Sequence, residues 1–286
     1  MPTSDTKPPM PDLADLLRFY AESGVDEALL DSPADRFAET ATSLAAPAPA
    51  PARRAPPPSL ERAPSAPAAA PRQPAAAMAM PDEAQAAKAR ELTRQAQTLD
   101  ELRQILDNFD GCNLKFTAKQ LAFSDGNPQA PLMLVGEAPG RDEDIQGKPF
   151  VGRSGQLLDK ILAAIGIERA QGAYIANVVA WRPPGNRAPT PLETEICRPF
   201  IERQIELVNP KVLVTLGGPS AKTLLNTSEG MLRLRGKWRT HVTASGTEIP
   251  AMPTLHPAYL LRTPAHKKLV WQDFLEIKAR LEAPAS

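Results

Sequence analysis

Three polar side chains that could act on a planar, polar substrate each follow a short apolar run. Glu137 follows LMLVG in the turn Gly136-Glu137-Ala138-Pro139-Gly140, Asn177 lies in YIANVV, and His256 follows AMPTL and precedes Pro257. A carboxylate can hold a water or offset positive charge. A carboxamide accepts and donates in one fixed orientation, and an imidazole can donate to an atom that gains negative charge. The chain has only 3 His, and His241 and His266 stand in no comparable setting and are expected to be solvated. Phe150, after Gly147 and Pro149, is a candidate stacking surface for a flat ring. Each residue also has a plain alternative: Asn177 as a strand cap, His256 as a turn residue, Phe150 as core. A Gly/Pro turn after a strand ordinarily only reverses the chain. This one lacks the Gly-Lys-Ser/Thr ending of a phosphate loop.

Basic residues gather near the same segments. Arg182, Arg187, Arg233, Arg235, Lys237, Arg239 and Arg262 fall in or beside the expected loops, and LRLRGKWR concentrates charge. Lys+Arg and Asp+Glu both number 33, so the net charge is +0, and the chain is not a bulk polycation that coats nucleic acid. Local phosphate contacts remain open.

The elements that must position these residues read as one α/β domain. Apolar runs at 132–136, 174–179, 212–217 and 251–255 predict buried strands. Helical patterns such as SGQLLDKILAAIG and PLETEICRPFIERQIELV lie between or after them. Such alternation predicts a parallel sheet covered on both faces. Ligand sites in such sheets collect at the carboxyl ends of the strands. Those ends carry GEAPG, the Asn177 turn, LGGPS and HPAYLLR.

The rest of the chain differs in composition. Residues 1–31 include an island of helical pattern at 11–31, with Leu13, Leu16, Leu17 and Tyr20 in register. Residues 32–81 are rich in Ala, Pro and Arg and predict a disordered linker. Residues 82–108 return to a charged helical pattern, which gives a domain over 82–286 with its core at 108–282. With 2 Cys, a reducing, cytoplasmic setting is expected, and no apolar run is long enough for a signal peptide or a membrane span. A monomer is expected, and the 11–31 segment is a candidate docking helix for a partner protein.

Taken together and in order, GEAPGRDEDIQGKPFVGRSGQLL, IANVVAWRPPGNRAPTPLE, LGGPSA, LRGKW and HPAYLLR resemble a type 4 uracil-DNA glycosylase. The resemblance covers roughly residues 108–282. It implies a three-layer α/β/α sandwich around a four-stranded parallel sheet, and hydrolysis of uracil from DNA. It implies catalytic Glu137 and His256, and uracil contacts from Gly136, Ala138, Glu143, Phe150 and Asn177, with Glu143 at the pocket mouth. The expected DNA contacts are Arg182, Arg187, Arg235, Lys237 and Arg262, with Tyr259, Leu260 and Leu261 as candidate wedges. In family 1 enzymes an Asp takes the place of Ala138, so the water-activating role is open. Asp142 and Asp144 are expected to be solvated. The family also carries a [4Fe–4S] cluster on four cysteines. Here Cys112 and Cys197 match two of them, while Lys115 and Trp181 replace the others, so no cofactor is expected. Two rival readings are the same fold acting on other deaminated bases and a non-catalytic DNA-damage binder.

Overall fold

The computed structural model describes residues 82–283. The chain runs through α1 (Asp82–Gln95), α2 (Leu99–Asp107), α3 (Leu114–Thr117), β1 (Asp125–Gly126), β2 (Leu132–Gly136), α4 (Arg141–Gln146), α5 (Arg153–Ala164), α6 (Arg169–Gly172) and β3 (Ala173–Asn177). It continues through α7 (Pro191–Val208), β4 (Val212–Leu216), α8 (Gly218–Leu225), α9 (Met231–Leu234), β5 (Arg239–Val242), β6 (Glu248–Thr254), α10 (Pro257–Arg262) and α11 (Lys267–Glu282). The 11–31 helix and the 32–81 linker lie outside the described residues.

The sheet order is β1-β3-β2-β4-β6-β5. The four expected parallel strands form its centre, in the order β3-β2-β4-β6. Every residue of β2, β3 and β4 is buried, as befits strands covered on both faces. The central four-stranded parallel sheet is as expected, but among the described residues the sheet extends to six strands and is mixed. β1 and β5 add antiparallel edges to β3 and β6. β1 is only two residues long, and β5 reads Arg-Thr-His-Val with a single buried side chain, so neither gives an apolar signal.

Side chains of alternate residues leave opposite faces of a strand. Met133 and Val135 join one core with Leu102, Leu106, Phe200 and Ile205, under α2 and α7. Leu132 and Leu134 join the other with Leu158, Leu162, Phe274 and Ile277, under α5 and α11. The result is the three-layer sandwich. Thr98 starts α2 by accepting from the Glu101 N–H at 3.2 Å. α1 packs along α7, where Arg203 reaches the Ala96 carbonyl at 2.7 Å. Among the described residues, no helix is long and apolar enough to cross a membrane.

Candidate active site

Strand register brings the chemistry together. Gly136 pairs with Asn177 across β2 and β3, so Glu137 and Asn177 sit side by side at the carboxyl edge. The ladder continues beyond the strands, with the Val178 N–H on the Gly136 carbonyl and the Val179 N–H on the Glu137 carbonyl, both at 3.0 Å. The Gly217 N–H donates to the Thr254 carbonyl at 2.8 Å, which fixes the exit of β6 just before His256. A cavity of about 510 Å³ opens there. Glu137, Ala138, Glu143, Phe150, Asn177 and His256 line it, with Arg187, Tyr259 and Arg262 also on its walls.

Asn177 is buried, and its Oδ1 has no hydrogen-bond partner among the described residues. Buried polar atoms are nearly always paired, so an orphan acceptor in a cavity wall points to a ligand donor. Gly136 is required beside it. A Cβ there would collide with Asn177 Oδ1 and would lie 2.6 Å from Phe150 Cζ. Phe150 has φ 54, a left-handed backbone that costs a residue with a Cβ about 1–2 kcal/mol. Arg169 holds that conformation. Its Nη1 donates to the Phe150 carbonyl at 2.8 Å and its Nη2 to the Pro149 carbonyl at 2.7 Å. The same guanidinium is anchored on Asp125 at 2.8 Å and Asp159 at 2.9 Å. A side chain at Gly155 would drive into the Phe150 carbonyl, so the turn tolerates none. Sequence reasoning missed Arg169, because an Arg at a short helix carries no local signal of a carbonyl 19 residues away.

Glu143 lies in the cavity wall, but its carboxylate is spent on main chain. Oε2 accepts from Gly140 at 3.1 Å, and Oε1 from Val151 at 3.0 Å and Gly152 at 2.9 Å. It clamps the turn after β2 to the Phe150 segment. Asp142 is exposed as expected. Asp144 is not solvated: it is buried and accepts from the Lys119 N–H at 2.7 Å, with Arg182 at 3.7 Å.

His256 caps α10, and its Nδ1 accepts from the Ala258 N–H at 3.1 Å. Burial, with the nearby Arg262 charge, lowers its pKa to about 4. The ring is therefore neutral near pH 7. With Nδ1 an acceptor, the proton sits on Nε2 and makes that atom a donor. The Phe150 and His256 rings lie 5.4 Å apart, tilted by 31°. Burial raises the pKa of Glu137.

The expected DNA contacts divide. Arg187 lines the cavity with its guanidinium forked on Glu193 at 2.7 and 2.8 Å. Arg182 donates to Asn186 Oδ1 at 2.7 Å, and Lys237 and Arg262 are exposed. Arg235 is turned inward instead. Its Nε donates to Asp273 at 3.0 Å and its Nη2 to the Leu269 carbonyl at 2.8 Å. Asp273 is buried and needs that counter-charge, so Arg235 is a structural ion pair. Leu260 is fully buried in the core under α11 and is no wedge, whereas Leu261 is 39% exposed. Tyr259 lines the cavity, and its hydroxyl shares a 2.8 Å bond with His266 Nδ1. His266 is therefore engaged rather than solvated. His241 is the inward residue of β5, buried with Nδ1 2.8 Å from the Leu224 carbonyl.

The profile of the uracil DNA glycosylase superfamily matches residues 123–275. The chain is 39% identical over 170 residues to the type-4 uracil-DNA glycosylase of Archaeoglobus fulgidus, spanning 58% of this chain and 84% of that one. It is 38% identical over 177 residues to that of Saccharolobus solfataricus, covering 60% and 81%. It is 41% identical over 162 residues to that of Sulfurisphaera tokodaii, covering 54% and 71%. The chain belongs to the type-4 family of the uracil-DNA glycosylase superfamily. Of the four positions that match the family's cluster cysteines, 112 and 115 precede the sheet, 181 lies in the loop after β3 and 197 lies in α7. Here Cys112 and Cys197 are buried with their sulfurs 3.9 Å apart. Lys115 turns its ammonium to Asp110 at 2.6 Å, and Trp181 is buried in the core that holds both cysteines. A cubane cluster takes one thiolate per iron. Two thiols, an ion-paired ammonium and an indole do not fit that donor set.

Proposed function

We propose that this chain hydrolyses the N-glycosidic bond of deoxyuridine in DNA, releasing uracil and leaving an abasic site. The observation that carries this reading is the buried, unpartnered Oδ1 of Asn177 beside the Phe150 ring. A duplex base must be extruded to reach such a cavity. Phe150 then stacks on the ring. Asn177 accepts from N3–H through Oδ1 and donates to O4 through Nδ2. Cytosine presents the opposite pattern at both atoms and would leave buried groups unpaired, which a site of this kind rejects strongly.

As the bond breaks, electrons pass to the departing base and O2 gains charge. His256 Nε2–H donates to that oxygen as a neutral imidazole, with Nδ1 fixed by the Ala258 N–H. Glu137, at the junction of the cavity walls, offsets the cation-like sugar and orients the attacking water. Arg187, Arg262, Arg182 and Lys237 hold phosphates, and exposed Leu261 enters the gap left in the stack. Arg169 and Glu143 position the loops and touch no substrate. The junction that a cluster would tie is held by Trp181 packing, and no iron is needed. The chain works as a monomer in a reducing, cytoplasmic setting, and the 11–31 segment docks a partner protein.

The test uses oligonucleotides with one uracil, hypoxanthine or xanthine each, incubated with the protein and then cleaved by alkali at abasic sites. Scission at uracil is expected. Its absence there, or scission only at a deaminated purine, would overturn the reading.

A further inference from the structure

A second cavity, about 520 Å³, opens beside the first. It shares Glu137, His256 and Tyr259 with the base cavity. Its remaining walls are largely apolar, from Leu216, Pro219, Met231 and Leu255, and exposed Arg233 stands at its edge. We infer that this cavity receives the base of the nucleotide next to the flipped uridine, so that the enzyme unstacks two bases and not one. The inference rests on the glycosylase reading above.

The shared wall is the first reason. Whatever fills the second cavity touches Glu137, placed above beside the uridine sugar, and His256, placed at the departing O2. The neighbouring nucleotide is tied to that sugar by a single phosphodiester, so it is delivered there by covalent connection. The second reason is chemical. Flipping removes a stacking partner from the neighbour, and an apolar wall replaces it without regard to sequence. Tyr259 is the aromatic side chain in that wall, and stacking of a base on an aromatic ring is worth about 1–3 kcal/mol. Arg233 supplies the cation that the connecting phosphate requires.

The cavity can be filled from its own wall. A side chain at Gly230, whose φ of −66° and ψ of 139° suit any residue, meets nothing within 4 Å. Gly230→Leu and Met231→Trp are independent fillings. Each, with the native chain, is assayed for kcat/KM on single-stranded oligonucleotides. The uracil is flanked by normal bases, or by an abasic analogue on its 5′ or its 3′ side. In the native chain, removing one particular neighbour is expected to lower kcat/KM about tenfold, the loss of one stacked base. In the filled variants the same removal is expected to cost less than about twofold. A difference of fivefold or more between native and variant response, at either flank and in either variant, supports the second base site. A smaller difference at both flanks in both variants overturns it. Normal uracil release with no such difference would leave the function standing and remove only this inference, whereas no uracil release from any substrate would sink both.

Discussion

The titration of His256 makes a prediction that stability and catalysis must both obey. The ring is held neutral: its pKa in the folded chain is about 4 against an ordinary 6.5. A His whose folded pKa is depressed binds fewer protons folded than unfolded at mildly acid pH. Its neutral form is therefore favourable to folding above about pH 6.5, and that contribution is lost as pH falls toward about 4. Between pH 8 and pH 5 the loss is roughly 2 kcal/mol, from the proton binding of the two states. For a domain of this size that is a fall in Tm of about 4–8 °C. Other groups titrate as well, so the quantity to measure is a difference. His256→Asn retains an acceptor for the Ala258 N–H and removes the titration. Urea denaturation at pH 8 and pH 5 gives the stability of each protein. The native chain should lose about 2 kcal/mol more than the variant. An equal loss in both would refute the half-buried, neutral imidazole. Single-turnover cleavage by the native chain should fall on the acid side as Glu137, whose pKa burial raises, and then His256 take up protons.

Arg169→Met removes both donors to the Phe150 turn and takes the guanidinium away from Asp125 and Asp159. It should lower kcat/KM about a hundredfold, with the fold retained by circular dichroism, and Arg169→Lys should not restore it, since one ammonium cannot span two carbonyls and two carboxylates. Leu261→Ala should slow cleavage of duplex uracil about tenfold more than of single-stranded uracil, because only the duplex has a gap to fill. Leu260→Ala should instead cost about 2–5 kcal/mol of stability, read by denaturation, as a large-to-small change in a core. Anaerobically purified protein should hold far less than one iron per chain, and near-stoichiometric iron and sulfide would contradict the two-thiol account.

Much of this was legible because parallel strands buried on both faces are continuous apolar runs. LMLVG and VLVTL announce β2 and β4, and the edge from which Glu137 and Asn177 project follows from their direction. The edge strands were not legible. β1 has no apolar residue, and β5 hides one histidine among exposed neighbours. Nor could sequence assign the fate of a charge. Arg235 and Lys237 look alike in LRLRGKWR, yet Asp273, 38 residues on, captures one of them. Leu260 and Leu261 differ only by the 100° step of a helix, which puts one in the core and the other in solvent. Asp144 and Arg169 escaped for the same reason, since their partners lie 10 to 44 residues away, outside their own helices.

The central claim is that Asn177 reads uracil and the chain then hydrolyses it free. The most direct test is mass-spectrometric quantitation of free base and abasic DNA, from a duplex with one uracil, for the native chain and for Asn177→Asp under single-turnover conditions. The account predicts one uracil per abasic site from the native chain. The substitution puts an acceptor where O4 needs a donor, so the rate should fall on the order of ten-thousandfold. No free uracil from the native chain, or release by the substituted chain at a near-native rate, would contradict it.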